Sequence, residues 1–596
     1  MTRNLSVQAK VSTLALAVAL AAGPSPALAQ SFQGTHSATG ATVDHPEAGV
    51  TNITVNQQQA VINWTATNNP VDGTIVFQPD GTVATFSGAT DFAVLNRITP
   101  GTAGNAIYMG GTIQSLVGDV TGGTVFFYSP NGIVIGANAV INVGSLGLTT
   151  LPISDDGQGN WMTGFGTSDP QVTFGQATDP NSFIRTDAAI DGSIRSNGSG
   201  SYVALVAPSI HHQGRILTDG TAALVAAEAA TITFNPFGLF DITVTTGTDA
   251  ETGIHVDGGT IGRNSETVSS DNIHRAYLVA VAKNDAVTML INNGAEVGFE
   301  IGTSATVEDN AVVISGGYDV DNGDQQFFGT SGTSNVALTI TNATLSSNVD
   351  AKVTGGAAIN SGDGALTFGG DLSIFGGETT TTGGNVLIDG QNGNDLTIAG
   401  DLYARAARIN GDGSETGLIT RLGASGGSTV TVGGNVMLDS DSFGTTVGEF
   451  GETGTNATGG NAQVNIGANS ALDVTGSINV HADGYGGASF GGTAGNGIGG
   501  QALVMAIEGG ATITAGSVAA SASGSGGSYI ECSVCGTTGG NGVGGNASVH
   551  TNVGTGNSMD ISGDVTITAA GQGGAGDAQA GGGFGGTGSL FAGDNS

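Results

Sequence analysis

A short unit recurs through the second half of this chain and limits what it can fold into. Two alternating strands flank a glycine at 366–374, 396–402, 430–438, 472–480, 511–518 and 559–567. The glycines fall at 370, 400, 434, 476, 516 and 563. A second element, Gly-Gly-(Asn/Gln)-Ala, returns at 459–462, 499–502 and 544–547. Repeats of this length with loops of uneven size read as a solenoid. Period-two alternation with turn punctuation, the signature of strands, also fills the first half, as at 50–55 and 73–77. One segment, Leu224 to Ala230, is alanine-rich and compatible with a helical turn.

Each unit can bury only one face of its strands. Stacking the units pairs every backbone with the next at ~4.8 Å and buries a continuous column of Val, Ile, Leu and Phe. A set of β-sandwiches would need more aromatic core residues than the 5% present. The expected fold is therefore all-β, a right-handed parallel β-helix (solenoid) with glycine-rich loops. Glycine is expected at corners that need positive φ. The tracts 484–500 and 571–588 are expected to be protruding or flexible loops.

Charge excludes several functions. The chain holds 13 Lys+Arg against 49 Asp+Glu, a formal net charge of −36. A nucleic-acid binder needs a cationic surface, so no nucleic-acid partner is expected. Glycine is frequent (106 residues) but lacks a period of three, which excludes collagen. At 38% hydrophobic residues the chain is too apolar for full disorder.

Residues 1–29 read as a signal peptide. Arg3 and Lys10 precede a 12-residue apolar run from Val11 to Ala22, and Ala27-Leu28-Ala29 offers a cleavage site before Gln30. The run is too short to span a bilayer, and no later segment is apolar enough, so no membrane span is expected in the mature chain. Cleavage takes the formal charge to −38. At ~20 residues per coil the remainder predicts ~28 coils and a rod of order 130 Å.

Residues 64–151 carry more specific features. Trp64 is followed by Ile75-Val76-Phe77, Val94-Leu95-Asn96-Arg97-Ile98, and Gly111-Thr112-Ile113. Then come Val125-Phe126-Phe127-Tyr128-Ser129-Pro130-Asn131-Gly132-Ile133 and Ala139 to Leu146. Ser129-Pro130-Asn131-Gly132 has β-turn chemistry, with proline pre-setting φ and Asn-Gly tolerating the rest. In order and spacing the stretch resembles the N-terminal secretion domain of filamentous haemagglutinin-type two-partner secretion exoproteins. The later segments Val203 to Ile210, Gly214-Arg215-Ile216 and Ala223 to Ala227 extend the resemblance, which covers about residues 40–240. Ser129 stands where that family usually has asparagine, and the family's earlier Asn-Pro-Asn-Leu motif is not evident.

After the signal peptide at 1–29, the resemblance implies a secretion domain at 30–300; the glycine-rich β-helical repeats fill 301–596 and, with no capping segment, are expected to be incomplete at the C-terminus. The resemblance implies a partner, an outer-membrane β-barrel transporter of the two-partner secretion type. It implies passage through the periplasm of a Gram-negative bacterium to the surface or medium. Asn96, Arg97, Ser129, Pro130, Asn131, Gly132 and Ile133 are the candidate secretion-motif residues. The implied role is a surface-associated adhesin or structural rod, with an unidentified host-cell or surface receptor.

No catalytic, cofactor or metal site is expected. Cys532 and Cys535 lack the further ligands of a zinc site, so a local disulfide is the expectation. His211 and His212 point to opposite strand faces and cannot easily share a metal. Asp155-Asp156, and Asp319 with Asp321 and Asp324, read as solvated turns. Asp577 after Gly573-Gly574-Ala575-Gly576 lacks the repeat of a calcium nonapeptide. The alternative function is a β-helix enzyme acting on a neutral polysaccharide, which requires two or three carboxylates meeting on one face.

Overall fold

The computed structural model describes residues 30–593, apart from 72, 101–103, 188–192, 197–199, 236–238, 264–273, 300–309, 322–325, 329–334, 379–383, 411, 531–535 and 553–555. The described residues hold strands and turns and no helix. None of them forms a helix long and apolar enough to cross a membrane.

The strands stack as a parallel β-helix with three faces. One rung is Val83–Gly88 on the first face, Ala93–Thr99 on the second and Ala106–Met109 on the third. The next rung is Thr112–Val117, Thr124–Tyr128 and Ile133–Ile135, each in parallel register with the strand before it. Among the described residues, fifteen rungs follow one another on every face. At ~4.8 Å per rung this makes a rod of about 70 Å, not the ~130 Å expected from ~20-residue coils. The rungs are longer because each holds three strands and many carry excursions.

Alternation places every second side chain in the interior, and register stacks like on like. Ile75, Ile107, Ile133, Ile184, Ile210, Ile254, Met289 and Leu338 form one such column, all buried. Burying each contributes about 1.5–3 kcal/mol. The N-terminal end of the column is closed. Gly34–Thr39 lies antiparallel on Gln59–Ala66, and Ala41–Asp44 on Val50–Val55. Phe32 plugs the end, with its ring 5.3 Å from Trp64, 4.9 Å from Phe77 and 6.0 Å from Phe127.

A second core lies outside the rod. The antiparallel strands Gln171–Phe174, Ala229–Phe234, Phe240–Thr246, Asp319–Asp321 and Gln326–Phe328 form an extra sheet. It shares an apolar cluster with the outer side of the second face, including Val206, Val225, Tyr277, Ile232 and Ile242. Strands buried on both sides lose their alternation, as in Tyr202–Ala207, Thr221–Ala226 and Arg275–Ala280. This corrects the helical expectation for Leu224 to Ala230, which falls on strands Thr221–Ala226 and Ala229–Phe234. Alanine there leaves room for the covering sheet.

The repeat glycines act by size, not by φ. Gly400, Gly434 and Gly476 do not have positive φ. A Cβ on them would stand 2.0 Å from Asp371 Oδ1, 2.1 Å from Asp401 Oδ1 and 2.3 Å from Asn435 Oδ1. Those oxygens accept backbone N–H groups of the next rung: Asp401 N to Asp371 (2.7 Å), Asn435 N to Asp401 (2.6 Å), Ser477 N to Asn435 (3.0 Å). The Gly-(Asp/Asn) corner is thus a ladder in which each acid or amide caps the rung above. Glycine does supply positive φ at other corners, Gly123 (79°) and Gly200 (74°) before second-face strands among them, and left-handed asparagines stand after the third-face strands. There Asn293, Asn342, Asn392 and Asn469 have φ of 58°, 41°, 59° and 53°, which asparagine tolerates through local side-chain bonding.

The glycine-rich tracts protrude from the rod, the first of the two expectations, and they are ordered rather than flexible. Each leaves the second face, runs outward, and returns to the third face. Outgoing arms stack as Ser442–Phe443, Gly484–Tyr485, Gly524–Ser525 and Gly571–Gln572. Returning arms stack as Ala457–Thr458, Gly497–Ile498, Gly542–Val543 and Gly583–Phe584. The two stacks bond to each other through the backbone: Gly487 N to Thr455 O (2.9 Å), Gly495 N to Gly487 O (2.8 Å), Gly527 N to Gly495 O (2.9 Å). No side chain fits between backbones this close. A Cβ on Gly495 would stand 1.8 Å from Thr455 O. Gly495→Ala is expected to destabilise the arms by about 1–3 kcal/mol. Hydrogen exchange should rise in 440–500 while the core columns keep their protection; unchanged exchange in the arms would contradict this packing.

Candidate secretion site and clustered side chains

The candidate motif residues occupy two neighbouring rungs. Asn96 lies mid-strand on the second face and is fully buried. It accepts the Trp64 Nε1 N–H (3.1 Å) and donates Nδ2 to Phe126 O (3.1 Å), so one amide ties three successive rungs. Arg97, next in the strand, points the other way. Its guanidinium donates to Ile153 O from Nε (3.1 Å) and from a terminal nitrogen (2.7 Å), and pairs with Asp155 at 2.7 Å. Arg97 thereby fastens the segment that leads into the extra sheet. Asp155 is half-buried against Arg97, while Asp156 stays exposed in its turn, where the Asn160 side-chain amide and then the backbone N–H of Gln158 donate to it and lower its pKa.

Ser129, Pro130, Asn131 and Gly132 make the corner between the second and third faces. Ser129 N donates to Thr149 O (3.1 Å), and Gly132 O accepts from Ile107 N (3.0 Å), binding the corner to the rungs on either side. Gly132 has φ +141°, and a Cβ there would stand 2.9 Å from Ala106 Cβ. Ile133 enters the core column between Ile107 and Ile184. Ser129 is fully buried, and its hydroxyl finds no partner among the described residues.

Other groups singled out from the sequence divide in the same way. Cys532 and Cys535 lie outside the described residues, as does the signal peptide. His211 and His212 do face opposite sides. His212 is buried between Thr186 Oγ1 (2.6 Å) and Thr260 O (3.0 Å), whereas His211 faces outward. Asp319 accepts the Val244 N–H in the extra sheet (2.9 Å), and Asp324 lies outside the described residues. Asp577 caps the rung before it, accepting Gly536 N (2.9 Å) and Thr537 N (2.5 Å).

Two clusters escaped sequence reading because their members sit in different rungs. One is His211, His255 and Asp257. The other gathers Asp439, Asp441, His481 and Asp483 beside Arg405, where the second face meets the glycine arms. Its carboxylates are 8%, 9% and 6% exposed, so the arms cover them. Each accepts a backbone N–H: Asp441 N to Asp439, Asp483 N to Asp441, Ser523 N to Asp483. Carboxylates thus do meet on one face, but as buried acceptors of backbone N–H groups within a rung (Asp439) and between rungs (Asp441, Asp483).

Residues 26–288 match the family described as TPS secretion domain. This part of the chain, under half of its length, is similar to a two-partner secretion domain. Two solved structures are similar. The HMW1 secretion domain from Haemophilus influenzae is 14% identical with a TM-score of 0.34, covering 90% of this chain and 99% of that one. The filamentous hemagglutinin secretion domain is 14% identical with a TM-score of 0.27, covering 68% and 99%. No curated protein matches the chain. The architecture described above is read from the strand registers themselves.

Two measurements test this geometry. Asn96→Leu leaves the Trp64 N–H buried without a partner and removes the amide's bond to the Phe126 carbonyl, which costs about 1–3 kcal/mol. Tryptophan fluorescence should report earlier denaturant unfolding of the N-terminal rungs; an unchanged midpoint would show that the amide holds nothing. Asp441 gives a pH dependence. Burial, then the neighbouring Asp439 and Asp483, push its pKa from 3.8 up to about 7. A raised folded-state pKa adds stability below the unfolded value that is lost as pH rises through about 7. In metal-free buffer at pH 8, Asp441→Asn should stabilise these rungs by at least about 1 kcal/mol, with no gain at acid pH. A gain equal at both pH values would exclude the linkage.

Proposed function

We propose that this chain is an exported exoprotein, carried across the outer membrane by a two-partner secretion β-barrel and acting outside as a surface-associated adhesin or structural rod. The observation that carries the reading is the secretion domain at 26–288, whose rungs continue without a break into the later coils. The proposed division is a signal peptide at 1–29, a secretion domain at 30–300 and a repeat region after it.

The motif geometry indicates when a transporter would meet the chain. Asn96, Ser129 and Ile133 are fully buried once the rungs have stacked. A partner that reads these side chains must therefore do so before folding. Folding then follows on the far side: Phe32 and the antiparallel cap close the first rung, and each later rung docks on the one before it.

An adhesive role is supported by the glycine arms. They hold large apolar side chains in solvent: Phe443, Phe450, Tyr485, Ile498, Tyr529 and Phe584 are 37–68% exposed. Exposed apolar groups in such number are the usual mark of a contact surface. Polysaccharide cleavage is less well supported, since the converging carboxylates are covered and engaged by backbone.

Fractionation of the native bacterium tests the proposal. The chain should appear on the surface or in the medium, and a version lacking 30–288 should stay in the periplasm. Asn131→Ala should lower the exported amount several-fold without lowering the melting temperature of the purified protein. Confinement of the intact chain to the periplasm would overturn the reading.

A further inference from the structure

We propose that His211, His255 and Asp257 bind one divalent transition-metal ion of borderline softness, zinc or copper(II), and so clamp two successive rungs of the secretion domain. His211 lies in Ser209–His212 and His255 in Thr252–Asp257, paired in register on the third face. Alternation sends Ile210 and His212, and Ile254 and Val256, into the interior. It sends His211, His255 and Asp257 outward together.

The three ligand atoms lie within 4.8 Å of one another. Asp257 Oδ2 is 3.0 Å from His211 Nε2, and Oδ1 is 4.0 Å from His255 Nε2. Both imidazoles therefore present the same nitrogen to the two oxygens of one carboxylate. That carboxylate is independently held in place. Gln213 Nε2 donates to Oδ2 (2.7 Å) and Asn293 Nδ2 donates to Oδ1 (2.5 Å), the kind of support that orients a metal-binding carboxylate. Arg185, next to His211 in the preceding rung, is paired with Asp187 at 2.7 Å, which offsets its charge.

Two imidazoles and a carboxylate suit zinc or copper(II) rather than calcium or magnesium, which prefer all-oxygen sets. The rings now stack in parallel, 4.7 Å apart and 2° from coplanar orientation. Binding requires them to turn so that their lone pairs converge, with the ring proton on Nδ1 and His255 released from Asn292 Oδ1 (2.9 Å). The side chains are 37% and 23% exposed, so they turn without disturbing the core. Water would complete the coordination. Because the ligands come from two rungs, only the stacked chain forms the site. The metal would stabilise the folded rod and leave an extended chain unaffected.

Chelator-treated full-length protein titrated with zinc by calorimetry, and with copper(II) by electron paramagnetic resonance, tests the site. One ion per chain, a copper spectrum with two nitrogen ligands and a zinc-dependent rise in melting temperature are expected. His255→Gln and Asp257→Asn should each weaken binding at least about tenfold, while His481→Gln should leave it intact. Melting in chelator shows whether each variant still folds, and the wild-type copper spectrum decides the ligand set if one does not. Absence of binding at sub-millimolar zinc, binding unchanged in both variants, or binding lost only in His481→Gln would overturn the proposal.

Discussion

The whole rod depends on one interaction, the parallel backbone ladder that sets each residue ~4.8 Å from its counterpart in the next rung. Once that register is fixed, a side chain's closest neighbours are not those beside it in sequence but those some 20 to 50 residues away. An isoleucine stacks on an isoleucine, an aspartate meets the amide of the next turn, and a glycine is required wherever the previous rung has already filled the space. The Gly-(Asp/Asn) corner shows the coupling. Asp371, Asp401 and Asn435 each cap the rung above through a side-chain oxygen, and the following glycine exists because that oxygen occupies the place of a Cβ.

This explains what could be read from sequence and what could not. Period-two alternation is local, so the strands were legible, and the recurrence of Gly-Asp-Leu and Gly-Asn-Val units pointed to stacking. The Ser129–Ile133 turn and its flanking apolar runs were legible because a turn is a four-residue object. Cross-rung partners were not. His211 has no like neighbour on its own strand face, because His212 points inward; its neighbour across the ladder, His255, lies 44 positions on and is fixed only by register. Asp441 and Asp483, 42 positions apart, come together for the same reason. Rung length was misjudged because the strand unit is visible and the excursions between faces are not.

The glycine arms are the clearest case of composition misleading. A tract such as Gly484 to Gly500 has the makeup of a flexible linker. In isolation it would behave as one, since glycine loses more conformational entropy on ordering than any other residue. Four copies in register change the balance. Each arm gains backbone bonds to the arms above and below and to the facing stack, and glycine alone permits the separation at which those bonds form. Order there is a property of the array rather than of any one tract.

That dependence runs in one direction along the rod. The first rungs carry the large rings, Phe32, Trp64, Phe77, Phe86, Phe92 and Phe127, packed under an antiparallel cap. The last rungs are filled mainly by alanine, valine and isoleucine, such as Ala502, Val504, Ala520, Ala547 and Val549, and lean more on backbone contacts. In a nearest-neighbour solenoid the end richest in apolar burial is the one that can stand before its neighbours form. The small-residue rungs and the glycine arms gain order only when a completed rung offers its edge as a template. Growth from the aromatic N-terminal end therefore meets a favourable step at each rung, whereas growth from the other end would begin with rungs that have little to hold them.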